Sequence, residues 1–520
     1  MPDMKKRKPI RKADKRSAKP ANYAEWADAA LDRDAKSGLD KWRAEDRDPR
    51  YDYLRIRERL DMLRHARETN DDHELLFALN EGIHGNIGGI ANPGLYNRAA
   101  FGTKDLITDY ITEVTLALEH LAEVPDKIIP FEERIDFFRR ASHCYGRSAL
   151  MLSGAGSRTP FHLGVIRALQ AEDLLPHIIS GSSGGAIVAA VVGTCAPEEL
   201  DDRLDYERII EGLKPISKQP SRKRILPNAL PQERLIETIE TLIPDLTFEE
   251  AFELSHKQIN ISVASSEAHR KSRLLNVITT PHVFVREAVL ASCAVPGVFP
   301  PVKLAAKHYD GTRKPYLPEM EWIDGSVTDD LPSRRLGRLY GVNHFIASQT
   351  NPAVLWGVQD TSRTGSAMRV TRDWVDDVVK ANLRASRPFV RQLTRNLPGL
   401  DFMSHVFFSV ALQRYTADVN IIPTKRLLDP RKFLAELTEK KTLELIDDGM
   451  RVTWPKIEII RNSTMISRCI DQILDDYEHD MESRHYIQRV PGPANTSRIA
   501  AAKRRTSQRI KRDARSTVSA

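Results

Sequence analysis

The sequence predicts an α/β domain built on a mostly parallel central sheet, with a helical module ahead of it. Three observations carry that expectation. Beyond residue 146, short apolar runs (Ala149–Leu152, Ile178–Ile179, Ile259–Val263, Trp322–Ile323, Phe345–Ala347) alternate with helical periodicity. Strands that alternate with helices form parallel sheets. Two of these runs end in glycine-rich turns, at the strand edge where such sheets bind ligands. Ahead of residue 146 the periodicity is helical instead, as in Leu106, Ile107, Tyr110, Ile111, Val114, Leu118 and Leu121.

The elements are expected in this order. Residues 1–50 are basic and poor in aliphatic side chains, and read as a disordered tail. Residues 51–145 form the helical N-terminal module, interrupted by the turn-rich run Gly82–Gly89. Residues 146–350 carry the catalytic sheet core, and residues 205–245 within it read as an inserted cap broken by Pro215, Pro220, Pro227 and Pro231. Residues 351–475 read as a helical lid and C-terminal extension, in which 366–412 mixes apolar side chains with arginines. Residues 476–520 close the chain as a second basic tail.

Composition excludes several classes. A chain of 520 residues with 41% hydrophobic content can bury a sizeable core. No apolar stretch approaches the ~18 residues of a membrane span. No apolar run follows the basic start as in a secretory signal, so an intracellular location is expected, cytoplasmic or peripheral on a membrane. The four cysteines have neither CxxC nor CxH spacing, which argues against a disulfide framework and a zinc site. The net charge of +7 is concentrated at the two ends. Such blocks are usually solvated, although anionic lipid headgroups would attract them. Nucleic acid would attract them equally, but no base-stacking or groove-reading motif accompanies them.

The chemistry lies in the turns. Gly181-x-Ser183-x-Gly185, between an apolar strand and an Ala/Val/Ile helix, fits a nucleophile elbow, a tight turn that lifts a serine hydroxyl from the sheet edge. Gly154-Ala155-Gly156, one strand–helix unit upstream, offers backbone amides that can converge on an oxyanion. A phosphate loop is the competing reading of that turn, but no GK[ST] follows it. A base is still required. None of the downstream histidines ends a strand beside a small-residue turn; His344 comes closest but begins an apolar run. Asp324 does end one, followed by Gly325-Ser326. A carboxylate with a pKa near the usual ~3.9 is a weak base, so burial would have to raise it. Asp310-Gly311, in a polar stretch, reads as a simple turn.

With these residues assembled, the chain resembles the patatin-like phospholipase family, in the branch of the triacylglycerol lipases of yeast lipid droplets and plant oil bodies. Leu152–Ser157 resembles the family's glycine-rich oxyanion loop, and Gly181–Gly185 its GxSxG. Ala291-Ser292-Cys293-Ala294-Val295-Pro296 through Phe299-Pro300-Pro301 resembles its A-S-x-A-x-P-x-x-F-P-P segment, and Asp324-Gly325-Ser326 its Asp-Gly-Ser. Asn92–Tyr96 and Phe101–Lys104 resemble the domain that precedes patatin in this branch. The resemblance implies a three-layer α/β/α sandwich and a Ser183–Asp324 dyad needing no cofactor or metal. It also implies an oxyanion hole from Gly154, Ala155 and Gly156. Triacylglycerol is the expected substrate at a lipid-droplet or membrane surface; membrane glycerophospholipid is the alternative, and a non-catalytic lipid-binding scaffold the reading from another class. The branch's H-x-x-x-x-D acyltransferase motif is absent, since none of the fifteen histidines has Asp five positions later. Oligomeric state stays open.

Overall fold

A computed structural model describes residues 20–206, 208, 231–267, 272–351, 417–425 and 437–489. The chain opens with helices α1 (Tyr23–Ser37), α2 (Leu39–Ala44), α3 (Tyr53–Glu68), α4 (Asp72–Gly82), α5 (Pro93–Tyr96), α6 (Asp105–Glu123) and α7 (Phe131–Tyr145). The face of α6 predicted from its spacing is the buried one: Leu106, Ile107, Tyr110, Ile111, Val114, Leu118 and Leu121 all face inward.

Helices α1 and α2 correct the expectation of a disordered tail through residue 50. Asn22 caps α1 by accepting from the Glu25 amide, and Gly38, at φ 73°, separates the two helices. Aliphatic periodicity did not reveal them because polar anchors hold them. Buried Asp34 accepts from the Ala100 and Phe101 amides at 2.8 and 2.9 Å. The Lys104 ammonium lies 4.5 Å from the centre of the Trp42 ring and donates to the Trp42 carbonyl. A desolvated cation over an aromatic face gains about 2 kcal/mol.

The sheet follows. Strand β1 (Arg147–Leu152) leads through α8 (Thr159–Ala171) to β2 (Ile178–Gly181), α9 (Gly184–Gly193) and the short α10 (Leu200–Arg203). Helices α11 (Gln232–Leu242) and α12 (Phe248–Ser255) precede β3 (Gln258–Ser265) and β4 (Arg273–Asn276). Then come α13 (Val285–Ser292), a hairpin of β5 (Ala305–Lys307) and β6 (Arg313–Pro315), and β7 (Trp322–Asp324). Among the described residues the last elements are α14 (Ser333–Tyr340), β8 (Val342–Ser348), β9 (Val419–Ile421), α15 (Glu439–Thr453) and α16 (Ile457–Arg489). Strand order is β4-β3-β2-β1-β8-β9, with β7 also paired to β3; β4 and β7 run antiparallel and the other pairs are parallel.

Alternation of side chains divides the sheet into two apolar faces. Leu150, Ile179 and Ile346 align on one face, which α8, α9, the N-terminal helices, α15 and α16 cover. Toward β3 the same face is closed by α11, α12 and α13. Ala149, Met151, Ile178 and Ala347 point the other way, against α14. The result is helix on sheet on helix, with the N-terminal module sharing the core of the first face. Helix α16 runs on through Arg489, so the expected boundary of a basic tail at residue 476 falls inside a helix. Tyr477 stays buried there against the rings of Phe131 and Phe138.

One helix contact is unusually close. A Cβ at Gly164 of α8 would stand 2.0 Å from the Ile446 carbonyl oxygen of α15, and one at Gly449 of α15 would stand 2.2 Å from the Phe161 carbonyl oxygen. The two helices therefore meet backbone to backbone. The expected cap falls only partly within the described residues, as α11, and the lid stretch 366–412 lies outside them.

Candidate active site

Ser183 sits between β2 and α9 with φ 51° and ψ −124°, a conformation that costs a non-glycine residue about 1–3 kcal/mol. Its neighbours make the turn compulsory. A Cβ at Gly181 would meet the Gly185 carbonyl oxygen at 2.3 Å, and one at Gly185 would meet the Leu152 carbonyl oxygen at 2.3 Å. The strained amide is not left bare: Ser183 N–H donates to Ser292 Oγ at 2.9 Å, and Ser292 Oγ donates to the Ser262 carbonyl at 2.8 Å.

Asp324 ends β7, opposite Val263 of β3. Its amide donates to the Ala294 carbonyl at 3.0 Å, and its Oδ1 accepts from the Ser326 amide at 2.8 Å. Burial pushes its pKa up to about 6, against the lowering effect of hydrogen bonds from Ser326 and from the Ser183 hydroxyl; the nearby Asp330 charge adds to the rise. A carboxylate adjusted this far is a better base near neutral pH than an ordinary one. The Ser183 hydroxyl and the Asp324 carboxylate are therefore hydrogen-bonded partners. The 291–301 segment gains a physical role that resemblance alone did not supply: Ser292 holds the backbone of Ser183, and Ala294 that of Asp324.

The loop after β1 departs from its expected assignment. The Gly154 amide donates to Asp330 Oδ1 at 2.7 Å, so it is already used. Among the described residues, the Ala155 and Gly156 amides have no such acceptor. The loop is supported from below by a residue that sequence reasoning missed. His162, fully buried on α8, places Nε2 3.0 Å from the Ser153 carbonyl and Nδ1 2.7 Å from Ser348 Oγ. Burial drives its pKa down to about 4, so it is neutral at pH 7. A carbonyl only accepts, so Nε2 carries the proton and Nδ1 accepts from Ser348. A buried histidine inside an apolar helical pattern carries no sequence signal of that role. Arg158 donates Nη2 to the Lys425 carbonyl at 3.0 Å, tying the loop to the segment after β9.

The histidine alternatives lie elsewhere. His344 bonds Ser148 Oγ at 2.9 Å near the start of β1, about 13 Å of strand away from the carboxyl edge. His282 and His308 face Glu249 and Asp310 on the surface. Asp310 accepts from the Thr312 amide at 2.9 Å in the β5–β6 turn, as its setting implied. Among the described residues, no cluster of three or more His, Cys, Asp or Glu is arranged to hold a metal ion. No described helix is long and apolar enough to cross a membrane.

Comparison with known proteins adds the following. The profile of a domain of unknown function (DUF3336) matches residues 3–143, and that of the patatin-like phospholipases matches residues 150–336. Triacylglycerol lipase 4 of Saccharomyces cerevisiae is 31% identical over 471 residues, covering 85% of this chain and 50% of that protein. Triacylglycerol lipase ptl3 of Schizosaccharomyces pombe is 32% identical over 467 residues, covering 86% of this chain and 93% of that protein. The chain thus spans about half the length of the first curated relative and nearly all of the second. Among solved structures, VipD from Legionella pneumophila aligns over 64% of this chain and 67% of its own, at 14% identity and a TM-score of 0.30.

Proposed function

This chain belongs to the patatin-like phospholipase family, and on that premise we propose that it is a serine lipid acyl hydrolase acting on triacylglycerol. The observation that carries the proposal is the buried Ser183–Asp324 pair, with the carboxylate pKa raised to about 6. Ser183 Oγ attacks the ester carbonyl while Asp324 takes its proton. The amides of Ala155 and Gly156 bind the oxyanion of the tetrahedral intermediate, a contribution of about 3–4 kcal/mol per donor in comparable sites. Collapse of that intermediate breaks the ester C–O bond, and Asp324 returns its proton to the departing glycerol oxygen. Water, deprotonated by Asp324, then attacks the acyl-serine. Free fatty acid leaves and Ser183 recovers its hydrogen.

Triacylglycerol is favoured because both yeast relatives are named triacylglycerol lipases, one of them matched along 93% of its length. Contact with a lipid-droplet or membrane surface through the basic stretches fits the same substrate. The test is hydrolysis of matched triolein, diolein and phosphatidylcholine emulsions by wild type, Ser183→Ala and Asp324→Asn. Release of oleate from triolein by wild type alone is expected. Equal turnover by Ser183→Ala would overturn the nucleophile, and a wild type that prefers phosphatidylcholine would overturn the substrate.

A further inference from the structure

One carboxylate beneath the site gathers strand ends that the reaction needs in register. Asp330 lies six residues beyond Asp324 and is 1% exposed. Its Oδ1 accepts from the Gly154 amide at 2.7 Å and from the Ser182 hydroxyl, while its Oδ2 accepts from Asn351 Nδ2 at 3.1 Å. Those partners belong to the loops after β1, β2 and β8, and Asp330 itself belongs to the loop after β7. The packing agrees with the bonding: a Cβ at Gly154 would stand 3.0 Å from Ser326 Cβ and 3.6 Å from Asp330 Oδ1. The 326–330 loop therefore lies directly on the glycine turn.

We propose that Asp330 is a positioning residue that sets the oxyanion loop against the nucleophile elbow. By taking the Gly154 amide it turns that N–H away from the substrate and fixes the peptides that follow, those of Ala155 and Gly156. By taking the hydroxyl of Ser182, the residue before the nucleophile, it holds the elbow at a constant distance from that loop. Each of these bonds has Asp330 as acceptor, so the three donors favour the ionised carboxylate against burial, which pushes its pKa up. Its charge also helps to raise the pKa of Asp324, behind the larger effect of burial. Asp330 touches no reacting atom; it acts through Gly154, Ser182 and the field at Asp324. The inference rests on the reading of Ser183 as nucleophile, and its test separates the two.

The test compares wild type, Asp330→Ala, Asp330→Asn and the exchange Asp330→Asn/Asn351→Asp, first by the rate of Ser183 labelling with a fluorophosphonate and then by triolein hydrolysis. Asp330→Ala is expected to lower the labelling rate and kcat about 100-fold, with KM changed less than about twofold, because misplaced oxyanion donors act on the transition state. Asp330→Asn keeps an acceptor for Gly154 and Ser182 but sets two amide donors against each other at Asn351, so a loss of about 10-fold is expected. The exchange restores a donor–acceptor pair there and should recover to within about threefold of wild type. In Asp330→Asn the acidic limb of the pH–rate profile should move to lower pH, since the neighbouring negative charge is gone; a purely structural residue would not move it. The near-isosteric Asn variant keeps the test open if the Ala variant does not fold. Labelling of Asp330→Ala at the wild-type rate, or an unmoved acidic limb in Asp330→Asn, would overturn the inference alone. A wild type that never labels at Ser183 would overturn the nucleophile and this inference with it.

Discussion

The turn after β2 and the turn after β1 do adjacent jobs but are held by different means. Around Ser183, backbone meets backbone: Gly181 against the Gly185 carbonyl, Gly185 against that of Leu152, with no room for a methyl group. Around Gly154 a side chain does the holding, through Asp330, and a buried histidine props the loop from below. The first arrangement is rigid at its glycines, where nothing can move aside; the side chains of Ser292 and Asp330 only tie down the Ser183 amide and the Ser182 hydroxyl. The second depends on a charge and on hydrogen bonds, so it responds to pH and to conservative substitution. A nucleophile in a strained conformation needs the first kind of support; amides that must be aimed at a small target are well served by the second.

That contrast can be broken at several points. Ser183→Ala should lower kcat on triolein by about 10⁴-fold or more, as loss of a nucleophile does elsewhere, and leave the urea midpoint near that of wild type. Gly185→Ala should destabilise the fold by about 3 kcal/mol, the cost of forcing atoms into a filled site, whereas Ala155→Gly in the other turn should cost less than about 1 kcal/mol. Equal costs in urea denaturation would erase the distinction between the turns.

Asp324→Asn should abolish turnover while stabilising the protein at pH 7.5. The folded carboxyl holds its proton up to about pH 6 and the unfolded one only to its ordinary 3.8. Its contribution to stability is therefore fully present below the unfolded value and lost as pH rises through 6. Above that, wild type bears an ionised buried carboxylate that Asn lacks, a difference on the order of 2–3 kcal/mol. The gap between variant and wild type in denaturation midpoint should close as pH falls from 7 toward 4. Over the same range wild-type kcat/KM should fall about tenfold per pH unit below 6, because only the ionised carboxylate accepts the serine proton. Ser292→Ala leaves the Ser183 amide without its acceptor. A loss of about 1–2 kcal/mol in stability is expected, with about a tenfold fall in kcat and KM unchanged.

The elbow was legible in the chain because its requirement is local: two glycines flanking a serine, between a strand and an apolar helix. Asp324 ends a short apolar run, but a lone Asp-Gly reads equally as a turn, and only the resemblance of Asp324-Gly325-Ser326 to the family's Asp-Gly-Ser set it apart from Asp310. Asp330 was not legible, since two of its three partners lie 176 and 148 residues away. The role of Ser292 was hidden for the same reason: its contacts span 109 and 30 residues. Helices α1 and α2 escaped because Asp34 and Lys104, not a stripe of aliphatic residues, fasten them down. Periodicity reports apolar faces; it is silent about polar fastenings between distant segments.

The meeting of Gly164 and Gly449 bears on how such a chain can vary. With carbonyl oxygens already at the positions a methyl group would take, neither glycine has slack to lend the other, so no second substitution can compensate a first. The two positions should be inherited as a unit. They also bind the fate of the C-terminal helices to that of the oxyanion turn, from which α8 departs. A cut ahead of Glu439 would remove the wall on which α8 rests, and a deletion far from Ser183 in sequence would then silence it.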